Sequence, residues 1–381
     1  MITARPHERR SLTRAALVLV ALVSLACAAG STASAASILK LRPGATDTET
    51  AAKIRAVNDQ WVAQNPGQVP CRKCEFRPTG SNLLWLYYRR QGFFPNWVSA
   101  ARDLLRRERL GQLEGFPEGV AEVVSYSTRY TTPAGIVFRV NESPYLSPDS
   151  TAPPWRDAMG QGLILTLFVE ALPTNPTAEQ LDQAYTYTSE YLNSFAVHWR
   201  EKGVAADGSA GGRWYLEYAT ERGDRARVLN GFMQTLVSLD RFVGQADTLA
   251  EDPRWAALRD RARQYVIDGA RELNAHIDKY DYGKDKLAKY SLAKPDPAPE
   301  VYQVFHRQLL LRLKDIAYLP TPWREHFEQM RVTWGGAPLG GGFWRWWTIL
   351  LLVLGSILTL LALRRRQVVL QRRRRRHRRY V

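Results

Sequence analysis

Three short segments hold residues whose types and spacing suit proton transfer. In Trp214-Tyr215-Leu216-Glu217-Tyr218 a single carboxylate is framed by three aromatic side chains. Partly desolvated among those rings, Glu217 would have a raised pKa and could exchange a proton near neutrality; the same pattern also suits a surface acid beside a packed cluster. A second segment runs from Tyr280-Asp281-Tyr282-Gly283 through Tyr290-Ser291-Leu292 to Tyr302-Gln303-Val304-Phe305-His306, placing four tyrosines and a histidine within 27 residues. Phenols donate to carboxylates or, with a pKa lowered from about 10, accept a proton from carbon. Lys279, Lys284, Lys286, Lys289 and Lys294 are interleaved, so a solvated lysine loop over core tyrosines is the plainer reading of that stretch alone. The third segment is Trp155-Arg156-Asp157-Ala158-Met159-Gly160-Gln161-Gly162. Two glycines opening a helix cost roughly 1 kcal/mol each against alanine, which points to close approach of another helix or of a ligand. Asn230-Gly231 repeats the feature one turn into a later helix.

Positioning these segments calls for a mainly α scaffold. Residues 46–65 read as a charged helix, and Leu83 to Arg90 and Trp97 to Gln112 as helices around the loop Gln91 to Asn96. Arg102, Arg106, Arg107 and Arg109 give the last of these a basic, solvated face. Glu122 to Asn141 is rich in Val, Tyr and Thr and is broken by Thr132-Pro133-Ala134-Gly135, the pattern of a β-hairpin. Helical periodicity follows in Met159 to Leu172, Ala178 to Lys202, Ala226 to Val243, Pro253 to Ile277 and Glu300 to Tyr318. Leu229, Phe232, Val237, Leu239 and Phe242 form one apolar stripe, and Tyr187, Tyr191 and Phe195 recur every four residues on another. Successive helical hairpins of this kind suit an α/α bundle or toroid whose loops enclose a cleft at one end.

The 381 residues carry a formal charge of +16, but the excess sits at the ends. Arg5, Arg9, Arg10 and Arg14 precede the apolar run Ala15 to Ala29 and the small-residue stretch ending Ala33-Ser34-Ala35, the order of an export signal. Near the other end Trp346 to Leu363 is 18 residues without a charge, and ten arginines lie between Arg364 and Arg379. This pattern predicts a transmembrane helix with its tail in the cytoplasm and the body outside it. The remaining body is nearly neutral, so the basic balance argues for targeting and anionic lipid, not nucleic acid. Cys71 and Cys74 form Pro70-Cys-Arg-Lys-Cys74. A disulfide is the default outside the cytoplasm; zinc would need two further ligands, and a redox pair a thioredoxin-like setting.

Taken together, the segments resemble the C-terminal domain of the D-glucuronyl C5-epimerase family, in a bacterial membrane-anchored form. Trp155 to Gly162 is similar to the family's W-x-x-A-M-A-Q-G, Trp214 to Tyr218 to W-Y-E-E-Y-P, and Val228 to Phe232 to V-L-N-G-F. Tyr280 to Gly283 matches Y-D-x-G, Tyr290 to Leu292 approximates Y-D-L, and Tyr302 to His306 follows Y-H-x-x-H. Leu216 stands where the family has a Glu, Ala219 a Pro, Ser291 an Asp and Gln303 a His. The resemblance covers residues 150–312 and implies an α/α toroid, or incomplete α/α barrel, carrying the cleft, with a preceding β-rich part completing it. It places Glu217, Tyr290 and Tyr302 among acid/base and substrate-binding positions, and gives Trp155, Gln161, Trp214, Tyr218, Asn230, Tyr280 and His306 to substrate binding.

The expected organisation is a signal peptide at 1–35, an N-terminal helical region with the Cys71/Cys74 loop at 36–120, and a β-hairpin region at 121–150. The epimerase-like toroid follows at 151–334, then a Gly/Trp-rich connector at 335–345, the membrane span at 346–363 and the Arg-rich tail at 364–381. The expected reaction is C5 epimerisation of glucuronate within a polysaccharide, with Glu217 and Tyr302 serving opposite faces of the sugar. It needs no metal and no cofactor. A polysaccharide lyase or hydrolase on the same fold, and a non-catalytic membrane-held glycan-binding protein, are the alternatives. The expected partners are a uronic-acid-containing polysaccharide and the membrane, with no nucleic acid and with homodimerisation open.

Overall fold

The computed structural model describes residues 48–335 apart from 72–73, 90, 146–152, 221–225, 284–286 and 295. The expected signal peptide, connector beyond Gly335, membrane span and cytoplasmic tail lie outside the described residues. Among those described, no helix is long and apolar enough to cross a membrane. The fold is mainly α with small antiparallel sheets, and it divides into two compact units at Tyr191/Leu192.

The first unit begins with α1 (Thr48–Gln64), then β1 (Glu75–Phe76), β2 (Trp85–Tyr88) and β3 (Gly92–Pro95) in one sheet of order β1-β2-β3. The helix expected over Leu83 to Arg90 is therefore strand β2. Burial alternates along it, and Trp85 faces Pro95 while Tyr87 faces Phe93, so aromatic residues on a period of two outweigh any helical preference. Cys71 and Cys74 form a disulfide just before this sheet. Next come α2 (Trp97–Arg109), capped by Asn96 accepting from Ser99 N, and α3 (Phe116–Ser125). The expected hairpin is β4 (Ser127–Thr131) paired with β5 (Val137–Ser143) around the Thr132-to-Gly135 turn; Glu122 to Ser125 belong to α3 instead. β6 (Trp155–Arg156) joins the edge of β5.

α4 (Ala158–Glu170) follows, capped by Asp157, and every residue from Ala158 to Phe168 is buried. A helix apolar on all sides belongs in the middle of a core. Gly160 serves that packing: a Cβ there would stand 3.1 Å from Asp157 Oδ2 and 3.2 Å from Trp97 Cβ. α5 (Ala178–Asn193) stops well short of the expected Lys202, and after it the chain turns through a 3-10 helix at Trp199–Glu201.

The second unit holds the hairpin β7 (Ala205–Asp207) and β8 (Arg213–Tyr215), then α6 (Leu229–Asp247), α7 (Pro253–His276), a 3-10 turn at Ile277–Tyr280, α8 (Glu300–Lys314) and α9 (Thr321–Thr333). α6 packs on α7 and α8, and α9 packs on α8. The apolar residues Leu229, Phe232, Met233, Leu236, Leu239, Phe242 and Val243 recur at helical spacing and are all buried. Each stabilises the fold by roughly 1.5–3 kcal/mol over an exposed side chain. α9 was not anticipated, although Thr321-Pro322 at its start is a helix-opening signal.

Candidate functional site

Strand β8 delivers the carboxylate. Its pairing with β7 continues through Leu216 N donating to Val204 O at 2.9 Å, and the chain then places Leu216, Glu217 and Tyr218 inside the second unit. Trp214 is wholly buried, stacked on Phe232 with centroids 3.8 Å apart and lying nearly parallel to Tyr280 at 6.2 Å. Glu217 is only 7 % exposed, which sets aside the surface-acid reading. Its carboxylate lies against the first turn of α6, where Gly231 offers no side chain; a Cβ there would overlap Oε2.

The start of α6 is also where the tyrosines are fixed. Val228, at the N-cap, has no side chain to satisfy the first amides. A loop backbone does so instead: Leu229 N donates to Tyr290 O at 3.1 Å, Leu292 N donates to Ala226 O at 3.0 Å, and Val228 bridges Ser291. Ser291 is buried at that bridge, a place where the Asp of the related motif would pay a large desolvation cost. Tyr302, in the first turn of α8, brings its ring to 4.9 Å from that of Tyr290, and both are half-buried. Gln303 holds this pair in register. Its Oε1 accepts from Ala288 N at 3.0 Å, and its Nε2 donates to Ala288 O at 2.7 Å and Ala298 O at 3.0 Å.

Glu217, Asn230, Tyr290 and Tyr302 are thus tied to the first turn of α6 or to the loop stitched onto it. Asn230 is buried, and its side-chain oxygen meets no donor among the described residues. Tyr280 and Trp214 lie behind them with no exposed surface; the Tyr280 hydroxyl donates to Arg227 O at 2.6 Å. Tyr218 is buried as well. His306 is 0 % exposed, faces Trp334 at 6.2 Å, and neither ring nitrogen finds a partner among the described residues; burial drives its pKa down to about 3.

Trp155 and Gln161 belong to the first unit, where each is hydrogen-bonded to neighbouring backbone. Trp155 Nε1 donates to Tyr145 O at 2.7 Å, with its ring edge-on to that of Tyr145 at 5.4 Å. Gln161 Nε2 donates to Asn141 O at 3.2 Å and its Oε1 accepts from Asn141 N at 3.4 Å, which binds α4 to β5.

Two further features of the second unit escaped the sequence reading. Glu272 on α7 is fully buried, and its Oε1 accepts from Ala210 N at 2.7 Å and Gly212 N at 2.9 Å, pinning the glycine-rich turn that feeds β8. His276, one helical turn on, brings Nε2 to 2.7 Å from Ser209 Oγ and 3.4 Å from Glu272 Oε2. Hydroxyl and carboxylate share one ring nitrogen, so this is not the relay of a serine hydrolase, in which the acid orients the opposite nitrogen. Glu272 and His276 at four-residue spacing, opposite Gly208 to Gly212, were the available signal. The second feature is Arg227, immediately ahead of Val228-Leu-Asn-Gly-Phe232; its backbone lies in the left-handed region at φ 44° and its guanidinium stacks 5.4 Å from the Trp214 ring centroid.

Among the described residues, no group of three or more His, Cys, Asp or Glu side chains could hold a metal ion. The family model for the D-glucuronyl C5-epimerase C-terminus matches residues 134–334, a little over half of the chain. No curated protein matches it.

Proposed function

The chain belongs to the D-glucuronyl C5-epimerase family, and from that premise we propose that it inverts C5 of glucuronate units within a polysaccharide. The observation that carries this reading is the buried Glu217 carboxylate, seated against Gly231 on the turn that also anchors the Tyr290–Tyr302 pair. C5 bears a hydrogen alpha to a carboxylate, a very weak acid. Inversion requires one group to break the C5–H bond and a second to return a proton on the opposite face. The electron pair of that bond resides meanwhile on the carboxylate oxygens, so nothing is oxidised or reduced overall. Donors aimed at those oxygens before reaction lower the barrier most.

Glu217 and Tyr302 are the two proton-transfer groups, in either order. Tyr290 holds the carboxylate, and Asn230, with a buried oxygen lacking a donor, receives a sugar hydroxyl. Trp214 and Tyr280, without exposed surface, position this floor from behind. The matched helices are proposed to form an α/α toroid. The body is proposed to work outside the cytoplasm, held by residues 346–363 near the membrane from which a polysaccharide emerges.

The test is hydrogen exchange at C5 in deuterated water on uronic-acid-containing polymers. Wild type should incorporate solvent deuterium with chain length retained, and Glu217→Gln should not. Full exchange in Glu217→Gln removes Glu217 from the mechanism. Unsaturated, ultraviolet-absorbing product identifies a lyase instead, and polymer binding with no exchange identifies a glycan-binding protein.

A further inference from the structure

Among the described residues, Arg227 is a cation with no carboxylate partner. Arg227 is half-buried, and among the described residues its guanidinium makes no ion pair or side-chain hydrogen bond; its one side-chain contact of note there is the face of Trp214, at 5.4 Å. Stacking on an aromatic face leaves the edge of a guanidinium, with its fork of N–H donors, open to a planar anion. The backbone beneath is held in an unfavourable state. At φ 44° Arg227 occupies the left-handed region that L side chains rarely adopt, and its carbonyl is fastened there by the Tyr280 hydroxyl at 2.6 Å. Strain of this kind persists where the surroundings enforce it, and it concentrates at ligand-binding positions. A glycine would meet the same backbone demand more cheaply, so the side chain is the part that needs explaining.

The surroundings are cationic. Lys289 Nζ donates to Lys279 O at 3.0 Å, and the charges of Lys279 and Arg227 both reach His276, adding to its burial in lowering its pKa, with Glu272 opposing. Among the described residues, the carboxylate in contact with that histidine is Glu272, and it is already engaged by two backbone amides. Arg227 is also placed by the site itself. It stacks on Trp214, three residues before Glu217 in sequence, and it precedes Val228, which is bridged to the Tyr290 loop.

We infer that Arg227 is the specificity-determining residue that pairs with the carboxylate of a uronate unit, its guanidinium displayed from the Trp214 face by the left-handed turn. The inference rests on the uronate-epimerase reading for the identity of the anion. The ligand class is an acidic polysaccharide, and a neutral polymer of the same backbone is excluded.

The experiment compares equilibrium binding of the full chain to a glucuronate-containing polymer and to its carboxyl-reduced counterpart, alongside C5 exchange in deuterated water. Wild type should prefer the carboxylated polymer. Arg227→Gln should lower that affinity about tenfold or more, the range for a charge-assisted pair, and erase the preference; Arg227→Lys should restore part of both. Arg227→Gly guards against misfolding: it should unfold at the same or a higher temperature than wild type while losing the preference as fully as Arg227→Gln. Unchanged preference in Arg227→Gly, with wild-type melting, overturns the inference and leaves the epimerase reading intact if exchange continues. Preference that depends on Arg227 in a chain with no exchange supports the inference and sinks the epimerase reading.

Discussion

The carboxylate of Glu217 occupies the space that a side chain at residue 231 would fill. Gly→Ala in a helix ordinarily gains about 0.5–1 kcal/mol from propensity and a stiffer unfolded chain. Here the added methyl must displace a buried carboxylate. Gly231→Ala is expected to destabilise the protein by about 1–3 kcal/mol, the usual range for overpacking, and to cut C5 exchange far more than stability. A urea titration read beside the exchange assay checks this. Gain of stability with intact exchange would show that Glu217 has room to move and that its seating is unimportant.

Gln303 replaces a residue that is His in the related motif, and the structure shows what the amide does. It makes three hydrogen bonds to the backbone of residues 288 and 298, something an imidazole, with two ring nitrogens, cannot reproduce. Gln303→Ala should cost about 2–4 kcal/mol through buried groups left unpaired. Amide protection should fall first in residues 287–298, the loop that carries Tyr290. Hydrogen exchange by mass spectrometry would refute the clamp if protection dropped uniformly instead.

How much of this was legible beforehand depended on the range of the interaction involved. Seven helices and one hairpin were readable because their signals are local: periodicity, prolines, and a Thr-Pro-Ala-Gly turn. Strand β2 was misread because Leu83 to Arg90 is a short apolar run that periodicity alone cannot assign, and its partner β3 settles the matter. The Glu217 site was visible as unusual composition, yet its burial depends on Gly231, fourteen positions on in sequence. Arg227 carried no sequence signal at all. Its left-handed backbone follows from the tether to Tyr280, a contact across 53 residues.

The first unit contains a carboxylate with its own pH signature. Asp157 caps α4, accepting from Met159 N at 2.9 Å, and burial raises its pKa to about 7 against the opposing hydrogen bonds of Gly160 and Met159 and the charge of Arg102. The folded state therefore binds a proton that the unfolded chain, near 3.8, has released. Stability attributable to this group is present below about pH 4 and is lost as pH rises through about 7, the reverse of a salt-bridged acid. Asparagine caps a helix about as well as aspartate. Asp157→Asn should accordingly flatten this fall and, at pH 8, exceed wild type by up to a few kcal/mol, as measured by urea unfolding at pH 5 and pH 8. Parallel pH curves for the two proteins would mean that Asp157 stays ionised throughout.

His306 offers the opposite sign and a decision about role. Enclosed beside Trp334 with no hydrogen bond on either nitrogen among the described residues, it is held neutral with a pKa of about 3, against 6.5 for an ordinary histidine. Between those values the unfolded chain binds the extra proton, so stability is full above about pH 6.5 and drains as pH falls toward 3. An apolar side chain of similar volume removes both this acid lability and the cost of burying an unpaired imidazole. His306→Leu should therefore raise the melting temperature modestly at pH 7.5 and more strongly at pH 4.5. If His306 contributes only to packing, C5 exchange at pH 7.5 should match wild type. If exchange collapses while the melting temperature rises, the imidazole must reach the substrate, and the α8 helix must open around it during turnover.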